Sequence, residues 1–390
     1  MPVSNNQLTR PRDFIELMAT LRGRRVLVTG HTGFKGGWLS LWLQILGAKV
    51  CGIALPPPSG PSFYDAVHLG EIIDDRVGDV RSSGLFSESV KNFDADIIIH
   101  MAAQSLVRKS YGDPVETYLT NVVGTAVVLE AARKMPSLRG AIIVTSDKCY
   151  ENNEWVWGYR ENDAMGGADP YSSSKGCAEL VTAAYRRSYF SDSNGAQLSS
   201  VRAGNVFGGG DWAADRLIPD LVRTTNTRDV VEIRNPQSIR PWQHVLEPLS
   251  GYLMLAAQLL SPHSKFADAW NFGPGSDGVV DVRTLVEKFQ SSWGAGGPRI
   301  AWGSESQAMH EANILRLDST KAHVQLGWRP RLSIDEAIDW TVHWYRTYAS
   351  DANSLRKLSE MQIEKYMALC APRPLDIGAN QAAAVNGSEI

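Results

Sequence analysis

Short apolar runs alternate along the first half of the chain with longer segments whose apolar residues recur every three or four positions. The short runs predict buried strands at residues 26–29, 49–55, 96–100 and 140–145. The longer segments predict helices at 38–46 and 121–133. Strands and helices that alternate in this way form a parallel sheet with helices on both faces. The pattern therefore predicts a doubly wound α/β fold.

The pattern changes near residue 205. Glycines cluster at 204–212, and an irregular stretch rich in Asn, Pro, Arg and Trp follows at 234–244. Loops of this kind suit a smaller lobe that binds a substrate. Helical spacing returns at 333–345, and residues 354–370 predict one more helix.

These changes suggest three parts. We predict a dinucleotide-binding domain at 1–204 and a lobe that mainly binds substrate at 205–346. We predict a C-terminal helix and a disordered tail at 347–390, because the last residues are polar and rich in alanine.

A glycine-rich turn joins the first predicted strand to the helix that follows. Gly30, Gly33 and Gly36 stand at every third position. Backbone N–H groups in such a turn can hold a dinucleotide pyrophosphate. The spacing differs from the standard Gly-x-Gly-x-x-Gly, and three glycines can also form a purely structural turn. Their position between a strand and a helix favours the dinucleotide.

The end of the second predicted strand leaves the choice between NAD and NADP open. An acidic residue commonly binds the ribose hydroxyls of NAD there, but Ala54, Leu55 and three prolines occupy the place. Lys35 is expected to meet a pyrophosphate or an NADP 2′-phosphate. Asp79, in a brief strand-like run at 77–80, could contact the adenine or cap its own turn.

Tyr171 and Lys175 form a second candidate feature, because residues four apart share one face of a helix. Tyrosine, with a pKa of about 10, is a poor base at neutral pH. A neighbouring ammonium group favours the phenolate and lowers that pKa. Tyr-x-x-x-Lys also occurs by chance, but the upstream hydroxyls of Thr145 and Ser146 favour a catalytic role.

Composition and charge narrow the classes of function. The chain is 43% hydrophobic and 21% charged, which is typical of a folded protein with a sizeable core. A net charge of −3 gives no reason to expect nucleic acid or an anionic membrane as a partner. The four cysteines lack metal-ligand or disulfide spacing. With neither a secretory signal nor a long apolar run, we expect a cytoplasmic protein without a metal.

Four motifs resemble those of the extended short-chain dehydrogenase/reductase superfamily. They are Thr-Gly-His-Thr-Gly-Phe-Lys-Gly at 29–36, His-Met-Ala-Ala at 100–103, Asn-Val-Val-Gly-Thr at 121–125 and Arg-Ala-Gly-Asn-Val-Phe-Gly at 202–208. The resemblance covers about residues 24–346. It implies a Rossmann domain with a smaller C-terminal substrate-binding lobe. It also implies tightly held NAD and a nucleoside diphosphate sugar as substrate.

Residues 145–150, Thr-Ser-Asp-Lys-Cys-Tyr, distinguish branches of this superfamily. Sugar-nucleotide 4,6-dehydratases have Thr-Asp-Glu, whereas here Ser146 and Asp147 are followed by Lys148. This departure resembles the CDP-glucose 4,6-dehydratase branch. It implies a lyase that converts CDP-D-glucose to CDP-4-keto-6-deoxy-D-glucose through an internal NAD hydride cycle. Such a step belongs to deoxysugar and lipopolysaccharide O-antigen synthesis.

By this resemblance, Tyr171 takes the proton of the sugar 4-hydroxyl and Ser146 binds its oxygen. Asp147 protonates the departing 6-hydroxyl. A lysine removes the carbon-5 proton only when neutral, so Lys148, Tyr150 and a water remain alternatives. An epimerase, a reductase or a dehydratase for dTDP-, GDP- or UDP-hexose is the runner-up. A non-catalytic dinucleotide sensor is disfavoured, because such proteins typically lose the tyrosine–lysine pair.

Motif matching assigns the candidate residues. The catalytic candidates are Ser146, Asp147, Lys148, Tyr171 and Lys175. The cofactor candidates are Gly30, Thr32, Gly33, Phe34, Lys35, Gly36, Asp79, Ala102, Ala103, Asn121, Tyr171 and Lys175. The substrate candidates are Gln104, Ser146, Asn205, Arg240 and His244, with Arg108 and Arg202 weaker. Relatives pair through two helices per subunit, which implies a homodimer or a dimer of dimers.

Overall fold

The computed structural model describes residues 13–57, 60–192, 195–233, 235–261, 265–303 and 314–371, and every structural statement concerns these. The strands are β1 Arg25–Thr29, β2 Lys49–Ala54, β3 Asp74–Val77, β4 Ile97–His100, β5 Gly140–Val144, β6 Gln197–Ala203, β7 Asn205–Phe207, β8 Val230–Ile233, β9 Ile239–His244, β10 Ala269–Phe272, β11 Val279–Asp281 and β12 Arg299–Trp302. The α-helices are α1 Phe14–Ala19, α2 Phe34–Ile45, α3 Phe63–Ala66, α4 Ser83–Ser89, α5 Val107–Gly112, α6 Pro114–Tyr118, α7 Gly124–Ala132, α8 Pro170–Tyr189, α9 Leu217–Arg223, α10 Leu246–Leu259, α11 Val282–Trp293, α12 Ile334–Ser350 and α13 Leu355–Cys370.

Seven parallel strands form the central sheet, in the order β10-β6-β5-β4-β1-β2-β3. The chain adds β2 and β3 on one side of β1 and then crosses to β4 on the other side. In such sheets, ligands bind outside the carboxyl ends of the strands at this reversal. The predicted doubly wound parallel sheet is confirmed.

Apolar side chains cover both faces of the sheet. Val26 and Val28 of β1 face a layer that includes α1, α2, α10 and α13. Leu27 faces the opposite layer, built from α4, α7 and α8. This alternation follows from the two-residue period of a strand. Within the described ranges, we find no helix with the length and apolar character needed to cross a membrane.

The chain beyond residue 204 forms two small sheets, β11-β9-β7 and β12-β8. It also returns to the central sheet, because β10 pairs with β6 and α10 packs on β5 and β6. The division at residue 204 stays a prediction. The predicted tail lies, from residue 372 onward, outside the described residues.

Several predicted elements begin or end a few residues away from their observed bounds. The helix after the glycine turn begins at Phe34, so Gly36 lies in its first turn. The strand predicted at 77–80 is β3, at Asp74–Val77. The helix predicted at 333–345 is α12, whose first turn is fixed by a capping box between Ser333 and Glu336.

Candidate active site

The glycine turn places three stretches of backbone in close contact at the reversal of strand order. Gly30 has a φ of +81°, and a Cβ there would lie 2.7 Å from the amide nitrogen of Ala102. A Cβ on Gly36 would overlap the carbonyl oxygen of Gly30. Both positions therefore require glycine.

The start of α2 fits an anionic group. Gly33 is its N-cap, no side chain caps the helix and no acidic residue stands in its first turn. The free amides carry the positive end of the helix dipole, which suits a pyrophosphate. The Thr32 hydroxyl donates to the carbonyl oxygen of Leu55 at 3.0 Å and ties the turn to the end of β2. The residues at the turn therefore fit a dinucleotide.

We expect Gly36→Ala to raise the Kd for NAD by about 10- to 100-fold, because the added methyl group forces the turn apart at a cost of about 1–3 kcal/mol. Isothermal titration calorimetry measures the Kd. Gly84→Ala is the matched control, since a Cβ on Gly84 would meet no atom within 4 Å. Unchanged binding by the Gly36 variant would contradict the placement of the pyrophosphate.

Ser146 and Asp147 lie just beyond the carboxyl end of β5, where Ser146 caps a 3₁₀ turn at Asp147–Cys149. The Ser146 hydroxyl donates to Oδ1 of Asp147 at 2.9 Å. The Asp147 residue is 1% exposed, yet its Oδ2 has no hydrogen-bond partner in the described part of the chain. A buried oxygen without a partner is available to a ligand.

Tyr171 lies in the first turn of α8, which Asp169 caps, and its backbone N–H donates to Ser110 Oγ at 3.1 Å. Burial raises the pKa of Tyr171 to about 12 and Asp147 adds to this rise, whereas Ser146 and Arg216 oppose it. Burial therefore outweighs the nearby cation, and the phenol is protonated at neutral pH in the absence of cofactor.

The expected effect of the Lys175 ammonium on the Tyr171 phenol stays a prediction, and among the described residues no hydrogen bond to Tyr171 is formed by Lys175. Its Nζ instead donates to the carbonyl oxygen of Val144 at 3.3 Å. Burial lowers the pKa of Lys175 to about 8. The two side chains share a helix face, as predicted, but their titrations are set by burial.

Two further side chains line the site and were missed from the sequence. The Tyr252 phenol, from α10, interacts electrostatically with Asp147 and Tyr171. The Arg216 guanidinium donates to Asp211 at 2.9 Å and to Ser105 at 3.0 Å. Tyr252 stands in an apolar helix without a motif. For Arg216, the sequence signal was the acidic residues on both sides of it, which indicate an arginine held by carboxylates.

The structure narrows the alternatives for the carbon-5 proton. The Tyr150 hydroxyl donates to Asn271 at 2.8 Å and accepts from Arg202 at 2.6 Å. These two partners occupy the hydroxyl, which disfavours Tyr150 as the base. Lys148 is half-buried in the 3₁₀ turn and remains a candidate, as does a water.

Arg202 belongs to a buried ion pair behind the site. Its guanidinium donates to both carboxylate oxygens of Glu179, at 2.9 and 2.8 Å. Glu179 also accepts from Thr145 and Ser200. The pair therefore fixes the ends of β5 and β6 relative to α8, which supports the site without entering it.

Asn121 and Gln104 organise the loop after β4. The Asn121 amide accepts from the Gln104 backbone N–H at 2.9 Å and donates to Ser174 at 2.8 Å. The Gln104 side chain binds Thr117 and the backbone of Leu106. In the structure, both side-chain amides form hydrogen bonds that hold this loop in place. Their contacts with cofactor and substrate stay predictions.

The other candidates lie around this group in different environments. Ala102 and Ala103 are half-buried after β4, and Asn205 is half-buried at the start of β7. Arg240 is 7% exposed on β9 and donates to the carbonyl oxygen of Ile239. Asp79 accepts from the backbone N–H of Arg81 at 2.9 Å, as expected of a turn cap.

His244 lies within an aromatic core. Its ring is fully buried and meets the rings of Trp38, Phe207 and Trp340 edge-on. Burial lowers its pKa to about 3, so the imidazole is neutral. Its Nε2 has no hydrogen-bond partner among the described residues, and its predicted substrate contact stays a prediction.

Comparison with known proteins gives relatives along most of the chain. The model of the GDP-mannose 4,6 dehydratase family matches residues 27–341. The CDP-glucose 4,6-dehydratase of Salmonella typhimurium is 49% identical over 350 residues, which cover 89% of this chain and 97% of the relative. The dTDP-glucose 4,6-dehydratase of Streptomyces niveus is 27% identical over 340 residues, with 83% and 93% coverage.

Solved structures share the architecture. One is a double mutant of the dTDP-glucose 4,6-dehydratase of Streptomyces venezuelae, solved with NAD bound. It has a TM-score of 0.69 and 23% identity, and the match covers 86% of this chain and 99% of that protein. The UDP-glucose 4-epimerase of Thermotoga maritima, with UDP-glucose, has a TM-score of 0.72 and 21% identity, with 83% and 99% coverage. These two similarities show the fold. The family match and the 49% identical relative confirm the resemblance found in the motifs, and the chain therefore belongs to the GDP-mannose 4,6 dehydratase family.

Proposed function

We propose that the protein is an NAD-dependent CDP-glucose 4,6-dehydratase, which removes water from CDP-D-glucose and yields CDP-4-keto-6-deoxy-D-glucose. The observation that carries the proposal is the buried Asp147 carboxyl beside Tyr171, with one oxygen free of partners among the described residues. Water loss needs an acid for the departing 6-hydroxyl close to the base that acts at carbon 4, whereas epimerisation does not. The 49% identical relative supports CDP as the nucleotide.

The side chains divide the reaction among them. Ser146 orients the 4-hydroxyl, and the Tyr171 phenolate takes its proton. Bound NAD supplies a hydride acceptor that is regenerated within the cycle. Asp147 donates a proton from Oδ2 to the departing 6-hydroxyl, and Lys148 or a water takes the carbon-5 proton. The proton from Asp147 and the hydroxyl leave as water. Carbon 5 regains a proton from the same base as hydride returns to carbon 6, and Tyr171 releases its proton while Asp147 is protonated again.

Arg216 is the cation that we assign to the substrate diphosphate. Its guanidinium interacts electrostatically with the Tyr171 phenol. Hydrogen bonds to Asp211 and Ser105 orient the guanidinium. A planar guanidinium binds phosphate oxygens in pairs. Asn205 and Arg240 remain our candidates for the rest of the sugar nucleotide.

We also propose that two chains pair through the helices on one face of the sheet. Val115, Leu119 and Val123 stand four residues apart and are 68%, 42% and 42% exposed. Leu180, on the adjacent α8, is 60% exposed. An apolar stripe shared by two neighbouring helices suits a two-fold interface. We place this dimer, or a dimer of dimers, in the cytoplasm, in deoxysugar synthesis for the lipopolysaccharide O-antigen.

One assay tests the proposed reaction. The purified protein with NAD is incubated with CDP-, dTDP-, GDP- and UDP-hexoses, and the alkaline chromophore of a 4-keto-6-deoxy sugar is measured. We expect product from CDP-glucose and little from the others. No product from any of them, with NAD bound, would contradict the dehydratase, and a carbon-4 epimer would favour the runner-up.

A further inference from the structure

Two loops that carry site residues, one after β4 and one after β7, are joined to each other at two points. Nη1 of Arg108, on α5, donates to Oδ1 of Asp215 at 2.8 Å. The next residue, Arg216, donates from Nη2 to the Ser105 hydroxyl at 3.0 Å. The two contacts therefore connect the loop after β4 with the chain beyond residue 204.

The loop after β4 also holds the backbone of Tyr171. The Ser110 hydroxyl, two residues after Arg108 on α5, accepts the Tyr171 backbone N–H at 3.1 Å. It donates to the carbonyl oxygen of Val107 at 2.6 Å, and Ser110 is fully buried. The Tyr171 N–H lies in the first turn of α8, where amides have no partner within the helix. Ser110 therefore satisfies this amide and ties α5 to the candidate base.

The position of α5 depends on its contacts. The helix has six residues, and a helix of this length is not stable by itself. The Arg108 and Asp215 side chains are 39% and 43% exposed, so their ion pair lies at the surface, outside the buried group around Asp147. The pair thus attaches α5 to the loop after β7 independently of the contact between Ser110 and Tyr171.

The backbone at Asp215 allows two neighbouring side chains to have different partners. Its φ of +58° lies in the left-handed region, which aspartate and asparagine adopt more readily than most residues. Asp215 pairs with Arg108 at the surface, whereas Arg216 pairs with the buried carboxylate of Asp211 at 2.9 Å. Because Asp215 and Arg216 are adjacent, a shift of Asp215 also displaces the cation that we assign to the diphosphate.

We propose that Arg108 and Asp215 are positioning residues, whose ion pair sets the distance between the diphosphate cation Arg216 and the base Tyr171. The inference rests on the proposed function in assigning those two roles. In a sugar nucleotide, the hexose separates the diphosphate from the 4-hydroxyl by a fixed length. A change in the distance between Arg216 and Tyr171 therefore displaces the hydroxyl from the phenol. Such a displacement lowers the rate of the chemical step more than it weakens binding.

Substitution of each partner tests the ion pair. Arg108→Gln and Asp215→Asn each remove one charge, and asparagine keeps the left-handed backbone. We expect each variant to lower kcat with CDP-glucose by about 2- to 5-fold, the range of an exposed ion pair, and the double variant to be no slower than either. The Kd of CDP, measured by calorimetry, should remain close to that of the wild type.

A direct effect of charge on the anionic substrate predicts the opposite pattern in binding. Arg108→Gln would then weaken CDP binding and Asp215→Asn would strengthen it, because one removes an attractive charge and the other a repulsive charge. That outcome would overturn the proposal. Losses of kcat that multiply in the double variant would also overturn it, since they would show two independent effects.

Two further variants of α5 complete the set. Arg108→Lys retains the charge and should keep most of the wild-type rate. Lys109→Gln removes the same charge from the next exposed position of the helix and is the matched control, for which we expect wild-type kcat. A loss in Lys109→Gln equal to that in Arg108→Gln would show a general effect of charge and overturn the proposal. Circular dichroism monitors the fold of each variant.

Deuterium exchange of the free, full-length protein separates this proposal from the proposed reaction. Mass spectrometry with fragmentation localises the exchange to the Tyr171 amide. We expect faster exchange there in Arg108→Gln and in Asp215→Asn, because α5 loses an attachment and its Ser110 contact opens more often. Wild-type exchange in both variants would overturn the proposal. If the wild type makes no product, the dehydratase fails as a function, while the exchange still decides whether the ion pair positions Tyr171.

Discussion

Asp147→Asn is expected to lower the rate of water loss by about 10²- to 10⁴-fold, because an amide cannot donate the proton that the departing hydroxyl needs. The substitution keeps the size of the side chain and its contact with the Ser146 hydroxyl. Oxidation of carbon 4 does not use this proton. We therefore expect NADH to accumulate on the enzyme after CDP-glucose is added, visible in its near-ultraviolet absorbance, while little product forms.

The position of the block distinguishes this role from others. Normal turnover by Asp147→Asn would remove the carboxyl from the mechanism. If the variant formed neither NADH nor product, Asp147 would instead be assigned to the hydride-transfer step. The thermal unfolding of the variant serves as a control, since the carboxyl lies in a buried turn.

Tyr171→Phe is expected to lower kcat by about 10²- to 10⁴-fold, because it removes the base for oxidation of carbon 4. Since this step precedes water loss, no NADH signal should appear. The phenol is only 8% exposed, and phenylalanine keeps the packing of its ring. Tyr185→Phe, a substitution further along the same helix, is the matched control and should keep the wild-type rate. Wild-type turnover by Tyr171→Phe would contradict the assignment.

The pH profile gives a second check on Tyr171. Burial raises the pKa of its phenol to about 12, so the base form is scarce near neutral pH. The fraction of phenolate then increases as the pH rises. We expect kcat/KM of the wild type to increase through the neutral range, and the residual rate of Tyr171→Phe to lack this increase.

Features carried by short sequence segments were predictable. Apolar runs marked the parallel strands because both faces of such a sheet are buried. The motif at 145–150 and the Tyr171–Lys175 spacing placed four side chains in one region because each motif sits at the end of a strand or in the first turns of a helix. In these segments, the residue types that indicate the chemistry also determine the local backbone that positions them.

Features that depend on distant segments were not predictable. Tyr252 reaches the site because α10 packs back on the central sheet, and no local pattern records that return. The pairing of β10 with β6 is of the same kind. The spacing of Tyr171 and Lys175 gave their shared face, but the degree of burial, which decides the pKa of each, comes from the whole fold.

The two faces of the central sheet also decide how the protein can be handled. α1 and α13 pack against each other on the face that carries α2 and α10. Val115 and Leu180 lie with the helices of the other face. A fluorescent label or a surface tether attached on α1 or α13 would thus lie on the face opposite to the helices that we propose to pair. Immobilised protein should then leave the proposed pairing face accessible, which suits flow-cell measurement of the proposed sugar-nucleotide turnover.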